Sequence, residues 1–172
     1  VDGQPLLLHA VDAAEGSRAR PVIVVTGHAQ AEVAALLRER DVQTVHNPAY
    51  ESGMASSLRA GLSALPGDVD GVVVLLGDMP AVDAATVDRL IAAFDPDRGA
   101  AIVAASAGGR RGNPVLLARR FFPEIREIEG DQGAKPILQA YPDQIRLIDC
   151  AAAFTDLDTP EALDAYRDGK TR

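Results

Sequence analysis

Tryptophan is absent from this sequence, and four Phe and three Tyr supply nearly all of its aromatic character. The core must therefore be filled by Ala, Val and Leu, which suits helices packed on a buried sheet. A single cysteine, Cys150, excludes an internal disulfide and fits a reducing, cytoplasmic compartment. No apolar run approaches the ~20 residues that a membrane-spanning helix needs, and no secretory signal peptide is visible. Positive charge is in deficit, with 17 Lys and Arg against 25 Asp and Glu and a net charge of −8. That balance repels phosphate backbones. The pairs Arg110-Arg111 and Arg119-Arg120 are too short to make a basic patch, so nucleic acid is not expected as a partner. A small anion remains possible, because a metal ion or backbone N–H groups can hold one locally. No Cys/His cluster suggests zinc, and no Ser, His and Asp are ordered as a hydrolytic triad.

What is present is ordinary globular composition, 47% apolar and 24% charged, in a chain of 172 residues. That length suits one domain, since domains run to roughly 100–200 residues. Pro21 to Thr26, Val42 to His46, Gly71 to Leu76 and Ala101 to Ala105 are short, apolar and β-branched, and read as strands buried on both faces. Between them, Ala31 to Arg40, Ser56 to Leu65 and Ala84 to Phe94 carry apolar residues at helical spacing. The alternation predicts βαβ units and a mainly parallel sheet. Downstream, Pro114 to Leu117 and Ile145 to Ile148 read as strands, and Phe121 to Glu127 and Lys135 to Gln139 as short helices. Thr159-Pro160-Glu161 opens a last helix to Arg167, with Thr as N-cap and Pro at the first position.

In open parallel sheets ligands bind outside the carboxyl ends of the strands, so the loops there carry the functional signal. Gly77-Asp78-Met79-Pro80 places a carboxylate at the mouth of the strongest buried strand. It would stay ionised there at low cost with a cation as partner, and Mg²⁺ is a natural one. Gly-Asp followed by Pro is equally ordinary turn chemistry. The segment Asn47 to Ser57 runs from a strand into a helix. Its Gly53 permits close approach of a ligand, and Ser56 and Ser57 could donate to a phosphate or base, or one could merely cap the helix. Arg110 to Pro114 and Glu129 to Lys135 read as polar, glycine-bearing loops, either phosphate-pairing or simply solvated. Asp158, before the last helix, would complete a metal pair with Asp78 or serve the helix terminus alone. His28 reads as a structural residue.

Taken in order, these segments resemble a known family. Asp2-Gly3-Gln4-Pro5-Leu6-Leu7, Val24-Val25-Thr26-Gly27-His28, His46-Asn47-Pro48 and Glu51-Ser52-Gly53-Met54 match it, as does Ser56-Ser57-Leu58-Arg59-Ala60-Gly61. So do Leu75-Leu76-Gly77-Asp78-Met79-Pro80, Arg111-Gly112-Asn113-Pro114-Val115, Gly130-Asp131 with Gly133-Ala134, and Asp156-Leu157-Asp158-Thr159-Pro160-Glu161. The whole is similar to the nucleotidyltransferases that complete the molybdenum cofactor, and more to the molybdenum cofactor cytidylyltransferases than to the guanylyltransferases.

The resemblance implies a single three-layer, Rossmann-like nucleotidyltransferase domain over residues 1–172. It implies cytidylyl transfer from CTP to a molybdopterin-type cofactor with release of pyrophosphate, and a molybdenum hydroxylase as recipient of the product. On this basis Asp78 is catalytic and holds Mg²⁺, with Asp158 as second metal ligand. Gly53, Met54 and Ser57 lie at base and ribose, and Arg111, Asn113 and Asp131 face the pterin. The family also opens with a strand and a glycine-rich loop bearing Arg and Lys, which has no counterpart from Val1 onward. The 172 residues alone are therefore expected to be inactive and poorly folded; detectable cytidylyl transfer by them would contradict this. A related transferase using GTP or another acceptor, and a non-catalytic carrier of the molybdenum cofactor, are the alternatives.

Overall fold

The computed structural model describes residues 3–150 of the 172. The helix expected over 160–167 and the residues around Asp158 lie outside that range. In chain order the elements are α1 (Leu6–Gly16), β1 (Ile23–Thr26), α2 (Gln30–Leu36), β2 (Gln43–His46), α3 (Met54–Ala64) and β3 (Gly71–Val74). Then follow α4 (Ala84–Ala93), β4 (Ile102–Ala107), β5 (Arg110–Ala118), α5 (Phe122–Glu127), α6 (Lys135–Ala140) and β6 (Ile145–Asp149).

Every expected strand and helix within residues 3–150 is present, and α1 is added. Its apolar stripe of Leu7, Ala10, Val11 and Ala14 has the i, i+3, i+4, i+7 spacing of an amphipathic helix, with Ala10, Val11 and Ala14 buried. The strand expected to reach Leu76 ends at Val74, which leaves Leu75 and Leu76 as the lead-in to the Asp78 loop.

The sheet is mixed rather than mainly parallel. Among the described residues the strands form two sheets: β1 and β2 pair in parallel in one, and the other is ordered β3-β5-β4-β6. β4 and β6 are parallel, but β5 runs antiparallel to both β3 and β4. The cause is local. Ala107 pairs with Arg110 across Gly108-Gly109, whose φ angles of 56° and 78° suit the tight turn that reverses a chain within two residues. Arg110 to Asn113, expected to be loop, thus belongs to a hairpin strand. Register shifts between Ala104–Val115 and Ser106–Arg111, so that Gly112, Asn113 and Pro114 face the single residue Ala105 in a bulge. Such irregularities bend a strand and re-aim its side chains.

The strands are layered between helices, as alternation along each strand dictates. On one face Val24 packs with Val11 of α1, and Val103 and Leu116 pack with Leu90 of α4. On the other, Ile102, Ala104, Val115 and Leu117 join Leu62 of α3, Ile125 of α5 and Ile137 of α6. Leu90, Ile102, Val103 and Leu117 are fully buried. The result is a three-layer α/β sandwich of Rossmann-like type.

Helix α4 is held at its start by Asp83, whose Oδ1 accepts a 2.8 Å hydrogen bond from Thr86 N. Hydrogen bonds from the Thr86 side chain and then its backbone hold the Asp83 carboxyl below its ordinary range. A lowered folded-state value means that the stabilisation is present above the unfolded aspartate range and lost as pH falls through the folded one. Asp83→Ala is expected to cost about 1 kcal/mol at pH 7. In urea denaturation this difference from wild type should shrink as pH drops below about 4, and an unchanged difference at pH 3 would refute the cap.

Candidate active site

Asp78 stands in the turn after β3. Its position is set by its neighbour Met79, which is 2% exposed and wedged with Val82 and Val87 against Val73, Leu75, Leu76 and Ile91. Val82 N donates to Met79 O at 3.2 Å, closing the turn. With Met79 driven inward as a plug, Asp78 is fixed beside it. Asp78 Oδ1 is buried and accepts no hydrogen bond. Buried polar atoms nearly always have a partner, and an orphan costs about 1–3 kcal/mol, more when charged. A bound cation would satisfy this oxygen, so the residue fits a divalent metal. Among the described residues no three His, Cys, Asp or Glu side chains converge as a metal site. A hard cation here would complete its shell with water and phosphate oxygens, the usual habit of Mg²⁺.

A second assembly forms at the entry to α3. Gly53, with φ of 106° and ψ of 173°, leads into the helix pressed against the Gly130–Asp131 backbone. Ala55 N donates to Gly130 O at 3.0 Å, and Met54 N to Asp131 Oδ1 at 3.1 Å. A Cβ added at Gly133 would lie 2.9 Å from the Met54 sulfur. Gly53, Met54 and Asp131, assigned to different ligand portions from sequence, are thus one clasp between the α3 entry and the loop before α6. Met54 is 40% exposed, between half-buried Gly53 and buried Ala55.

Asn47, at the end of β2, was not among the expected site residues. It is 3% exposed, and its Nδ2 donates to Ser56 Oγ at 2.7 Å and to Ser57 Oγ at 3.1 Å. Its Oδ1 accepts from Ala49 N at 3.0 Å, and its own N–H binds Thr26 O at 2.8 Å. Its place directly after a strand and within the His46-Asn47-Pro48 match signalled it, but without a role of its own. His28 does what a structural histidine does: Nδ1 lies 3.2 Å from Tyr50 Oη, while the Tyr50 ring covers Gly27.

Arg111 is exposed at the start of β5, where its Nη1 donates to Leu138 O of α6 at 3.3 Å. Asn113 sits in the β5 bulge. Neither shares a hydrogen bond with Asp78 or with the Gly53–Asp131 clasp. Asp158 is outside the described residues.

Fold and site together define an α/β nucleotidyltransferase-type domain, with its orphaned carboxylate and its glycine clasp at loops that follow strands or enter helices. The chain belongs to the MobA-like NTP transferase domain family, which it matches over residues 1–145. It is 33% identical over 149 residues to the nicotine blue oxidoreductase of Paenarthrobacter nicotinovorans, covering 83% of this chain and 72% of that protein. It also matches bifunctional GlmU proteins, among them that of Mycolicibacterium vanbaalenii at 38% identity, but spans only 21% of that protein's length. A crystal structure of the Rv0371c homologue from Mycobacterium sp. strain JC1 superposes with a TM-score of 0.80 at 26% identity, over 97% of this chain and 83% of the other. The fold is also that of Rv0371c of Mycobacterium tuberculosis H37Rv in complex with manganese, with a TM-score of 0.76 at 24% identity over 93% of this chain and 84% of that one.

Proposed function

We propose that this chain is the catalytic domain of a Mg²⁺-dependent cytidylyltransferase, joining CTP to a molybdopterin-type cofactor and releasing pyrophosphate. The observation that carries the reading is the buried, unpartnered Asp78 Oδ1 at the end of β3. When bound, the metal would neutralise charge on the triphosphate; Asp78 would hold it, with Asp158 as second ligand. The chain's remaining task is positioning and charge stabilisation. The Gly53–Met54 turn and Ser57 would receive the base and ribose. Arg111 and Asn113, with the loop at Asp131, would face the pterin. The product would pass to a molybdenum hydroxylase in the cytoplasm.

Two features of the molecule support this. Among the described residues β1 pairs only with β2, and β3 only with β5. Both strands are packed by α3, with Gly61 against Val25 and Leu58 in the cluster around Val72 and Val74. A further strand between them, carrying the glycine-rich triphosphate loop, is part of the proposal. A second reading, an oxidoreductase, rests on the 33% identity to the nicotine blue oxidoreductase.

The test is calorimetric titration of the full-length protein with CTP, GTP and ATP, with Mg²⁺ and again with excess chelator. CTP is expected to bind at least about tenfold more tightly than GTP or ATP, a difference of about 1.4 kcal/mol, and to lose that advantage in chelator. Tighter binding of GTP or ATP would move the assignment to a transferase of that base, and equal binding of all three to a carrier or to a transferase of another activated substrate. Absence of binding would leave the carrier and redox readings.

A further inference from the structure

We infer that Asn47 acts as a positioning residue that aims the Ser57 hydroxyl proton toward the ligand, so that the site favours a hydrogen-bond acceptor on the nucleotide at that point. The inference rests on the nucleotide-binding reading above and deepens it.

The orientation of the Asn47 amide is fixed by its neighbours. Ala49 N can only donate, and it lies 3.0 Å from Oδ1, so the oxygen end faces Ala49 and the NH₂ end faces the serines. Both amide protons are then spent on hydroxyl oxygens, at Ser56 and Ser57. The two serines differ in what they do next. Ser56 is 5% exposed, and its hydroxyl lies 2.8 Å from Gly53 O and 3.0 Å from Ala49 O, so its proton remains inside the protein. Ser57 is half-buried, accepts from Asn47, and its hydroxyl finds no acceptor among the described residues.

A hydroxyl has one proton to give and two lone pairs to offer. With a lone pair of Ser57 engaged by Asn47, its proton points away from the amide. The neighbouring Gly53 turn is clamped to Gly130 and Asp131, so the donor is presented from a rigid base. The ligand chemistry this recognises is an acceptor without a proton: a pyrimidine carbonyl oxygen or ring nitrogen, or a ribose or phosphate oxygen. A hydroxyl aimed to donate discriminates against a partner that cannot accept, because its half-buried proton is then left unpaired.

Asn47→Asp separates this role from mere support. The carboxylate keeps the acceptor for Ala49 N and nearly the same shape, but it can only accept, so it draws the Ser57 proton back toward itself. The experiment measures CTP affinity with Mg²⁺ by calorimetry, together with thermal unfolding, in full-length wild type, Asn47→Asp, Ser57→Ala and the double variant. Asn47→Asp is expected to weaken CTP about tenfold with the fold retained. In the Ser57→Ala background the same change should cost less than about twofold, because the hydroxyl through which Asn47 acts is gone. Unchanged affinity in Asn47→Asp, or an equal loss in both backgrounds, overturns the inference and leaves the nucleotide site standing. Failure of wild type to bind CTP, GTP or ATP overturns the reading and this inference with it.

Discussion

Replacing Asp78 with Asn in the full-length protein is expected to raise the melting temperature of the metal-free form by about 2–4 °C while lowering the proposed cytidylyl transfer by about a hundred- to a thousandfold. The two effects have one cause. Asp78 Oδ1 is buried without a hydrogen-bond partner, so the metal-free fold carries a carboxylate oxygen that has left water and gained nothing. Removing the charge relieves part of the 1–3 kcal/mol that such a group costs. In a domain of this size about 1 kcal/mol corresponds to about 2–4 °C. In the loaded enzyme the same charge is what a cation needs, and losing one preorganised electrostatic contact typically costs about 10²–10³ in rate. Asn is the informative substitution because it serves the turn Gly77-Asp78-Met79-Pro80 as well as Asp does. If Asp78 were only a turn residue, Asn would leave turnover intact. Differential scanning fluorimetry in chelator, paired with pyrophosphate release in Mg²⁺, reads both arms. A lowered melting point together with full activity would sink the metal assignment.

That trade between stability and chemistry also explains which parts of the molecule could be read from sequence. The strands around Val24, Val73 and Val103 were legible because burial on both faces demands unbroken apolar runs. The same residues, alternating between the α1/α4 layer and the α3/α5 layer, form the three-layer core. Direction was harder to read. Pattern tells which residues are buried but not which way a strand runs, and the reversal of β5 depends on Gly108-Gly109, two residues that carry no apolar pattern of their own. Helix α1 is regular in spacing, but its buried face is mostly alanine, which contrasts little with its surroundings.

At the candidate site, residues that act singly were found and residues that act through others were not. Asp78 was visible from its place at a strand end, and its orphaned oxygen gives that place a chemical meaning. Asn47 belongs to the His46-Asn47-Pro48 match, which assigns it no role, and its importance lies in four hydrogen bonds, three of them to residues that the fold brings near. Arg111 shows the converse. Sequence marks it as a phosphate or pterin contact, whereas its hydrogen-bond partner is a carbonyl of α6, which gives the side chain a definite direction from β5 toward that helix.

Gly53→Ala is expected to be the most damaging single methyl group that can be added to this site, costing more than about 2 kcal/mol and lowering the melting point by about 4–8 °C or more. Two penalties add. The φ of 106° is one that L side chains rarely adopt, and the new Cβ would lie 2.5 Å from the Gly130 carbonyl oxygen and 2.9 Å from Asp131 N. Backbone cannot swing aside as the end of a flexible side chain can, so relief requires the Gly130–Asp131 loop to move. Moving it stretches the Ala55–Gly130 and Met54–Asp131 hydrogen bonds that close the clasp. CTP affinity should fall with stability for that reason. Gly130→Ala is the matched comparison: its φ is +67°, but a Cβ there meets nothing within 4 Å. It should therefore show the backbone penalty alone, about 1–2 kcal/mol. If the two variants unfold at the same temperature, the close approach of the two loops contributes nothing, and the clasp cannot be what holds Met54 and Ser57 in place. A clear gap between them, accompanied by weaker CTP binding only in Gly53→Ala, would tie the glycine at the entry of α3 to loop contact rather than to turn geometry.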